Sequence, residues 1–260
     1  MNEITIVKLG GKLIQDESML DEFLVNFSKI KSRKLLIHGG GNLVTEMCQK
    51  LNLDIQIKDG RRITSDKDLD VATMILAGLI NKKLVSKLHF FKLNSIGLSG
   101  ADANLIKAVK RPVRDIDYGK VGDVKEINSV FLKNLIENKY VPVICSITHD
   151  GNGQLLNTNA DTIASEIAIS LTNTYKVNLI YSYERNGVLK NVDDDKSTII
   201  KLYKNNFTNY INLKVISNGM IPKLKNSFYA LEKGVQSVKV TGKSITSSGE
   251  KYTIITNDKY

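Results

Sequence analysis

The stretch that decides the fold is Ile4-Thr5-Ile6-Val7-Lys8-Leu9-Gly10-Gly11-Lys12. Its first half is rich in β-branched apolar residues, which favour a strand, and it ends at two glycines with a lysine on either side. Glycine lets backbone N–H groups approach an anion, and a lysine can neutralise the charge of that anion. A tight turn after a strand gives the same pattern, so this stretch alone predicts a strand and leaves the anion site open.

A second strand end repeats the pattern. Residues 34–38 form an apolar strand that is followed by Gly39-Gly40-Gly41 and, from about Leu43, by the spacing of an amphipathic helix. Parallel α/β sheets bind ligands where strand ends lead into helices, because the N-terminus of a helix attracts anions. The two glycine-rich strand ends therefore predict a phosphate-binding edge of an α/β sheet.

The composition is that of a soluble globular protein. The chain has 260 residues, of which 42% are hydrophobic and 25% are charged, and it could form one large domain or two lobes. We see no signal peptide, and the longest apolar stretch, residues 71–80, is too short to span a bilayer. The two cysteines, Cys48 and Cys145, fall in predicted core elements and are expected to be buried free thiols. We therefore expect a cytoplasmic protein without membrane contact.

The net charge is strongly positive without the pattern of a nucleic-acid-binding protein. The chain carries 37 Lys and Arg against 27 Asp and Glu, a formal net charge of +10. These cations are spread along the chain, without a long basic block and without aromatic residues interleaved in one. We expect no nucleic-acid partner, and a positive field that attracts anionic metabolites fits the charge better.

Strands and helices alternate along the chain, which favours a parallel sheet with helices on its faces. The other main predicted helices are one that opens with a capping box at residues 18–21, one from residue 65 to about 80 and one over residues 223–233. Two hairpins are predicted, one over residues 54–64 that turns at Asp59-Gly60 and one of residues 106–109 and 121–127. The remaining predicted strands are a buried strand over residues 141–147, a strand over residues 177–181 and a short strand over residues 214–217.

Five motifs together resemble the amino acid kinase family, and within it the members that phosphorylate an N-acylated glutamate. They are Lys8-Leu9-Gly10-Gly11, His38-Gly39-Gly40-Gly41, Gly60-Arg61-Arg62-Ile63-Thr64, Asn157-Thr158-Asn159-Ala160-Asp161 and Gly219-Met220-Ile221-Pro222-Lys223. They stand in the family's order and cover nearly the whole chain. The resemblance implies an α/β fold, an open αβα sandwich with a mainly parallel central sheet. It also implies an N-terminal lobe, residues 1–173, for acylglutamate binding and dimer contact, and a C-terminal lobe, residues 174–260, for ATP.

Phosphorylation of a carboxylate needs charge neutralisation rather than a base. A glutamate-type side chain, with a pKa of about 4.3, is already an anion at neutral pH. It must be brought against a triphosphate, so cations and N–H donors have to neutralise the charge that spreads over the transferring group. The resemblance implies that Lys8 and Lys223 lie on either side of that group and that Asp161 holds both ammonium groups. The expected phosphate-binding N–H donors are those of Gly10, Gly11, Gly40 and Gly41. Taken singly, the lysines also fit surface positions and Asp161 fits a helix cap.

The resemblance also implies the contacts to the amino acid. The planar guanidinium of Arg62 can donate two parallel hydrogen bonds to an α-carboxylate. Asn157 and Asn159 can hydrogen-bond the α-carboxylate and the N-acyl amide. Gly40 and Gly41 are expected beside the same substrate. A solvated hairpin arginine and simple turn chemistry before a helix are the alternatives. His38 lies on an apolar strand, so we interpret it as a structural residue rather than a base or a ligand.

Nucleotide contacts are expected at Glu184, Gly187, Ile216 and Met220. The sequence departs from the family pattern at Tyr183-Glu184, where relatives carry a small hydroxyl residue and an aspartate, and Tyr183 is bulkier. We predict no protein-bound metal, because His89, His149 and the two cysteines lack metal-ligand spacing and Asp193-Asp194-Asp195 fits a solvated loop. The expected cofactor is ATP with Mg²⁺.

The leading hypothesis is transfer of the ATP γ-phosphoryl group to the γ-carboxylate of N-acetyl-L-glutamate in arginine biosynthesis. One alternative is the same reaction on N-succinyl-L-glutamate or another acidic amino acid. An alternative from a different class is a catalytically silent regulatory or nucleic-acid-binding protein on the same fold. In arginine-inhibited family members an extra N-terminal helix links dimers into hexamers, and here the first strand begins at about Glu3. We therefore expect a homodimer, joined through the N-terminal lobe, that arginine does not inhibit by that route.

Overall fold

The fold is described from a computed structural model of the chain. It describes residues 1–58, 61–191, 193–213, 215–216, 220–246 and 251–257. Contacts divide the chain into two compact units, unit 1 made of Met1–Lys34 and Ala164–Tyr260, and unit 2 made of Leu35–Ile163. This division places the first strand with the C-terminal part of the chain. The predicted functional division after residue 173 stays a prediction.

The strands are β1 (Glu3–Leu9), β2 (Arg33–His38), β3 (Ile57–Lys58), β4 (Arg61–Arg62), β5 (Ser95–Leu98), β6 (Ile106–Lys110), β7 (Gly122–Ile127), β8 (Val141–Ile144), β9 (Ile147–His149), β10 (Leu155–Asn157), β11 (Lys176–Ser182), β12 (Lys201–Tyr203), β13 (Ser237–Thr241) and β14 (Thr253–Thr256). The α-helices are α1 (Gly11–Gln15), α2 (Glu17–Ser28), α3 (Gly41–Lys50), α4 (Asp66–Thr73), α5 (Asn81–Phe90), α6 (Ser129–Glu137), α7 (Ala160–Ser170), α8 (Lys204–Asn212) and α9 (Ile221–Glu232). A π-helical segment, Met74–Ile80, joins α4 to α5, and a 3₁₀ turn covers Asp102–Asn104.

Unit 1 is built on five strands in the order β12-β14-β13-β11-β1. The β1, β11 and β13 strands are parallel, whereas β14 runs antiparallel to β13. Ile4, Ile6, Val7 and Leu9 are all fully buried. A parallel strand covered on both faces needs such a continuous apolar run, which is why the opening stretch of the chain forms β1.

Unit 2 contains three parallel strands in the order β2-β8-β5 and a second sheet in the order β10-β9-β6-β7. The predicted hairpin is present as the antiparallel pair β3 and β4, while its turn at Asp59-Gly60 lies outside the described residues. The fold class is confirmed: the chain is α/β with a mainly parallel central sheet of the αβα sandwich type. In the described part of the chain, we find no helix that is long and apolar enough to cross a bilayer.

Three predicted elements need correction. The N-cap of α2 is Asp16 rather than Ser18, because the chain is extended at Asp16 and its Oδ1 accepts the Met19 N–H at 2.9 Å. The buried strand predicted over residues 141–147 is two strands, since the chain leaves one sheet at Cys145 and enters the other at Ile147. The strand predicted over residues 214–217 is absent at residues 215–216, and its ends lie outside the described residues.

Both cysteines are buried and free, as predicted. Burial raises the pKa of the Cys48 thiol, and it raises the pKa of Cys145 to about 11. At neutral pH both groups are therefore protonated and behave as small apolar side chains rather than as nucleophiles.

Candidate functional site

Two candidate catalytic lysines of unit 1 are placed next to Tyr181, Lys8 by strand register and Lys223 by contact with the ring. Lys8 on β1 is the register partner of Tyr181 on the neighbouring parallel strand β11, so the two side chains share one face of the sheet. Lys223, in the first turn of α9, places its Nζ 5.3 Å from the Tyr181 ring centroid and 5.9 Å from that of Tyr183. Each lysine is only 8% exposed. The structure thus brings the two lysines to a shared, nearly buried neighbourhood, and they are not the surface lysines of the alternative interpretation.

The glycine pair after β1 makes a close turn against β11. The Gly10 N–H donates to the Ser182 carbonyl oxygen at 2.8 Å, and a Cβ on Gly10 would lie 3.1 Å from that oxygen. Glycine is needed here because the backbones approach so closely. The Gly10 N–H is thus engaged within the protein, whereas Gly11 opens α1. Phosphate binding by Gly10 and Gly11 stays a prediction.

Glu184 forms an ion pair beside these lysines. Its Oε1 lies 2.8 Å from Lys12 Nζ. Burial raises the pKa of Glu184, but the hydrogen bond from Lys12 and the charges of Lys12 and Lys223 outweigh burial and leave this pKa below its usual range. Glu184 is therefore a fixed anion at neutral pH that faces two cations.

Tyr183 closes the turn after β11, at the place where the sequence departs from the family pattern. Its hydroxyl donates to the Gly187 carbonyl oxygen, and burial raises its pKa. Gly187 has φ of +103°, a left-handed conformation that favours glycine. Of the other predicted nucleotide contacts, Ile216 is buried and Met220 is half-buried. Nucleotide contacts at all four predicted residues stay a prediction.

In unit 2 the second glycine turn joins β2 to α3. Gly40 is the N-cap of α3 with φ of +145°, and a Cβ there would lie 2.4 Å from Ile80 Cδ1. No atom of the described structure would lie within 4 Å of a Cβ on Gly41. The turn is packed on the Gly40 side and open at Gly41, a shape that suits the approach of a ligand to the backbone.

Arg62 is held on three sides. Its Nη2 donates to the Thr45 hydroxyl and lies 3.5 Å from the Gly41 carbonyl oxygen, while its Nη1 lies 3.9 Å from Asp68 Oδ1. The Arg62 side chain is only 9% exposed, and its Nη1 is buried without a hydrogen-bond partner in the described structure. A guanidinium fixed by such partners keeps the planar fork of donors that suits a carboxylate. The alternative of a solvated hairpin arginine is therefore wrong.

The β10–α7 connection carries the remaining candidates. Asn157 Nδ2 donates to the Thr64 hydroxyl at 3.2 Å. Asn159 Oδ1 accepts the N–H groups of Asp161 at 2.8 Å and Thr162 at 3.0 Å, so its oxygen caps α7. Asp161 lies in the first turn of α7. Contact of Asn157 and Asn159 with a substrate, and of Asp161 with the two lysines, stay predictions.

Three residues that touch the candidates were not predicted from the sequence. Asp68 and Thr45 hold Arg62, and Tyr181 contacts Lys223. Asp68 is recognisable only as part of the capping box with Ser65, whose second hydrogen bond it supplies. Its proximity to Arg62 depends on how α4 packs against β4, which sequence spacing does not report.

Metal ligands do not cluster around these side chains. Across the described ranges, no group of three or more His, Cys, Asp or Glu residues is placed to hold a metal ion. Asp193, Asp194 and Asp195 are exposed, and Asp195 pairs with Arg185 at 2.7 Å.

A profile of the "Amino acid kinase family" matches residues 3–242, which is most of the chain. The chain belongs to the amino acid kinase family. The resemblance that we inferred from the five motifs is therefore confirmed.

Similar proteins from two bacteria share one name. The acetylglutamate kinase of Phocaeicola vulgatus is 46% identical over 95% of this chain and 96% of its own length. The acetylglutamate kinase of Bacteroides fragilis is 45% identical over 92% of both chains. Among solved structures, that of smu.665 from Streptococcus mutans UA159 has a TM-score of 0.81 at 26% identity and covers 99% of this chain and 100% of its own.

Proposed function

We propose that the protein transfers the γ-phosphoryl group of ATP to the γ-carboxylate of N-acetyl-L-glutamate, as a step of arginine biosynthesis. The observation that carries this proposal is the identity of 46% with an acetylglutamate kinase over nearly the full length of both chains. Similarity that extends over both units covers all of the candidate residues, not one motif. The buried lysines and the buried Arg62 support the same reaction.

In the proposed reaction a carboxylate oxygen attacks the γ-phosphorus and the bond to the bridging oxygen breaks, so that ADP leaves with the electron pair. No proton needs to be removed, because the attacking carboxylate is already ionised. We assign to Lys8 and Lys223 the neutralisation of charge on the transferring group. Asp161 is assigned the orientation of those ammonium groups. Gly11, Gly40 and Gly41 are assigned phosphate contacts through their N–H groups, whereas the Gly10 N–H already donates to Ser182 and is assigned only the close turn beside them.

We assign the substrate-binding residues from their charge and from the geometry of their hydrogen-bond donors. Arg62 would bind the α-carboxylate with its buried guanidinium, and Asn157 and Asn159 would bind the polar groups around the α-carbon. Arg62 is suited because Thr45 and Asp68 already restrict its rotamers, so little side-chain entropy is lost on binding. Gly40 and Gly41 would adjoin the same substrate.

ATP would be bound by the C-terminal lobe, residues 174–260, with contacts from Glu184, Gly187, Ile216 and Met220. Mg²⁺ would enter with ATP, held by phosphate oxygens, as this ion commonly is in kinases. The N-terminal lobe, residues 1–173, would bind the acylglutamate and provide the contact of a homodimer. We place the protein in the cytoplasm, where both substrates are made.

The proposal is tested by a coupled assay of ADP release with N-acetyl-, N-succinyl- and free L-glutamate as acceptors. We expect a kcat/KM for N-acetyl-L-glutamate at least about tenfold above either of the others, since a site that bonds an acyl amide rejects a free amine. A preference for N-succinyl- or free glutamate would contradict the assigned substrate. ADP release at the same rate without any acceptor would contradict the assigned reaction.

A further inference from the structure

A buried polar network lies behind the second glycine turn, within unit 2. His38 is fully buried at the end of β2, and Asn81, at the start of α5, is 1% exposed. Asn81 Nδ2 lies 3.2 Å from His38 Nε2 and 2.9 Å from the Val143 carbonyl oxygen. A Cβ on Gly97 would lie 1.9 Å from Asn81 Oδ1, so glycine at that position makes room for the amide.

The orientation of the Asn81 amide is fixed from both ends. The Val143 carbonyl oxygen can only accept, so the atom facing it is the amide nitrogen. Lys82 Nζ lies 3.2 Å from the other end, and an ammonium group can only donate, so that end is the amide oxygen. A flipped amide would place two acceptors together at one end and two donors at the other.

This orientation decides the protonation of His38. Because Asn81 Nδ2 is a donor, His38 Nε2 must accept with its lone pair. The neutral ring then carries its proton on Nδ1, which lies 3.0 Å from the Gly39 carbonyl oxygen and donates to it. His38 is thereby excluded as a general base, because its one lone pair on nitrogen is used within the fold.

The hydrogen bond from His38 orients the next peptide group. In a trans peptide the C=O and the following N–H point in opposite directions. With the Gly39 carbonyl directed at His38, the N–H of Gly40 is directed away from that ring. Gly40 has φ of +145° and packs against Ile80. The conformation of this turn is therefore restricted both by the His38 hydrogen bond and by the packing of Gly40.

We propose that His38, held by Asn81 in its Nδ1-protonated form, is a positioning residue that orients the Gly40 N–H toward the anionic group of a bound substrate. This inference rests on the proposed function, in which Gly40 contacts phosphate or carboxylate. A pre-oriented N–H donor stabilises developing charge without reorganisation during the reaction. The network of His38 and Asn81 supplies that orientation from the core.

The protonation is tested directly by nitrogen NMR of the wild-type protein labelled with ¹⁵N-histidine. The chain has 3 histidines, and the signals of His89 and His149 are identified by their loss in His89→Gln and His149→Gln, which leaves the signals of His38. We expect a protonated, pyrrole-type nitrogen at Nδ1 and an unprotonated, pyridine-type nitrogen at Nε2. A proton on Nε2 would overturn the proposal, whatever the activity.

The positioning role is tested by a matched pair of variants. The amide nitrogen of Asn can replace ring Nδ1, so His38→Asn keeps a donor for the Gly39 carbonyl. The amide of Gln extends to the place of Nε2, so His38→Gln keeps the contact with Asn81 and loses that donor. We expect kcat of His38→Asn within about threefold of wild type and kcat of His38→Gln lower by roughly tenfold or more, with KM values changed much less.

Equal losses of kcat in both variants, at equal thermal stability, would overturn the positioning role and indicate a structural one. Should both variants unfold, the NMR result on the wild type still decides the proton location on which the proposal depends. A wild-type protein with the expected spectrum but without activity on N-acetyl-L-glutamate would overturn the proposed function and not the network. The two failures are therefore distinguishable.

Discussion

At the scale of single residues, the nearly buried ammonium group of Lys223 lies close to two aromatic rings. The rings of Tyr181 and Tyr183 lie near its Nζ, and the charge of Lys223 in turn lowers the pKa of Glu184. Aromatic faces attract a cation without neutralising it. The two rings thus help to hold the ammonium group in place.

Replacement of either candidate catalytic lysine should impair the transition state more than substrate binding. We expect Lys8→Met and Lys223→Met to lower kcat by about 10²-fold or more, as when one well-placed electrostatic stabiliser is removed, with smaller changes in KM. Steady-state kinetics measure this. Lys225→Met is the matched control, because Lys225 is an exposed lysine of the same helix and should leave kcat unchanged. A raised KM at wild-type kcat in the Lys8 and Lys223 variants would refute the assigned role.

Arg62 should control affinity for the amino acid alone. The Arg62→Lys change keeps the charge but loses the two-pronged guanidinium, so KM for N-acetyl-L-glutamate should rise at least about tenfold while KM for ATP stays near wild type. Arg111, paired with Asp123 in the same unit, offers the control Arg111→Lys, which should alter neither value. A comparable rise in KM for ATP on replacement of Arg62 would count against the assignment.

At the scale of elements, the sequence was sufficient to predict a strand or helix where a local pattern sets its boundaries. The strand that contains Lys8 and both hairpins follow from apolar runs and turn residues. The break between β8 and β9 was not predictable, because the apolar run continues through it while the chain changes sheets. The π-helical segment Met74–Ile80 has the apolar spacing of an ordinary helix, and β12 and α8 have weak signals.

The buried lysine Lys34 hydrogen-bonds carbonyl groups at the end of α2, and through this lysine the stability of the protein depends on pH. Lys34 Nζ donates to the carbonyl oxygens of Phe27, Ser28 and Ile30 at 3.1, 2.8 and 2.9 Å. Such carbonyl groups at the C-terminus of a helix have no partner within the helix. Burial lowers the pKa of Lys34 from 10.5 to about 8.

The lowered pKa predicts that the contribution of Lys34 to stability grows in alkaline solution. Between pH 8 and 10.5 the unfolded chain binds more protons at this lysine than the folded chain, so the free energy of unfolding gains a positive slope with pH. Urea unfolding of the wild type and of Lys34→Met over this range measures the slope, and the difference should increase in favour of the wild type as pH rises. A constant or decreasing difference would contradict it.

At the scale of the whole molecule, the proposed homodimer needs an apolar surface for its contact. The π-helical segment of unit 2 carries Met74 and Leu79, each 58% exposed. Residues five apart in a π-helix lie about one turn apart, so we expect these two exposed side chains to lie on the same side of the segment. Such exposed apolar groups fit the predicted contact through the N-terminal lobe.

A charge placed at Leu79 should convert the dimer into a monomer. We expect light scattering behind a sizing column to give twice the chain mass of 29.0 kDa for the wild type and the single chain mass for Leu79→Glu. A buried charge without a partner makes association unfavourable. Val130→Glu changes another exposed apolar residue, 68% exposed, and should leave the dimer intact. A wild-type monomer, or a dimer that tolerates Leu79→Glu, would contradict the predicted contact.

Chemical trapping shows directly whether a carboxylate of N-acetyl-L-glutamate receives the phosphoryl group. The protein is incubated with ATP, Mg²⁺, N-acetyl-L-glutamate and hydroxylamine, which converts an acyl phosphate into a stable hydroxamate. Because each transfer forms one acyl phosphate and one ADP, we expect hydroxamate and ADP in equal amounts, both dependent on the acceptor. ADP without hydroxamate, or hydroxamate from free glutamate but not from N-acetyl-L-glutamate, would contradict it.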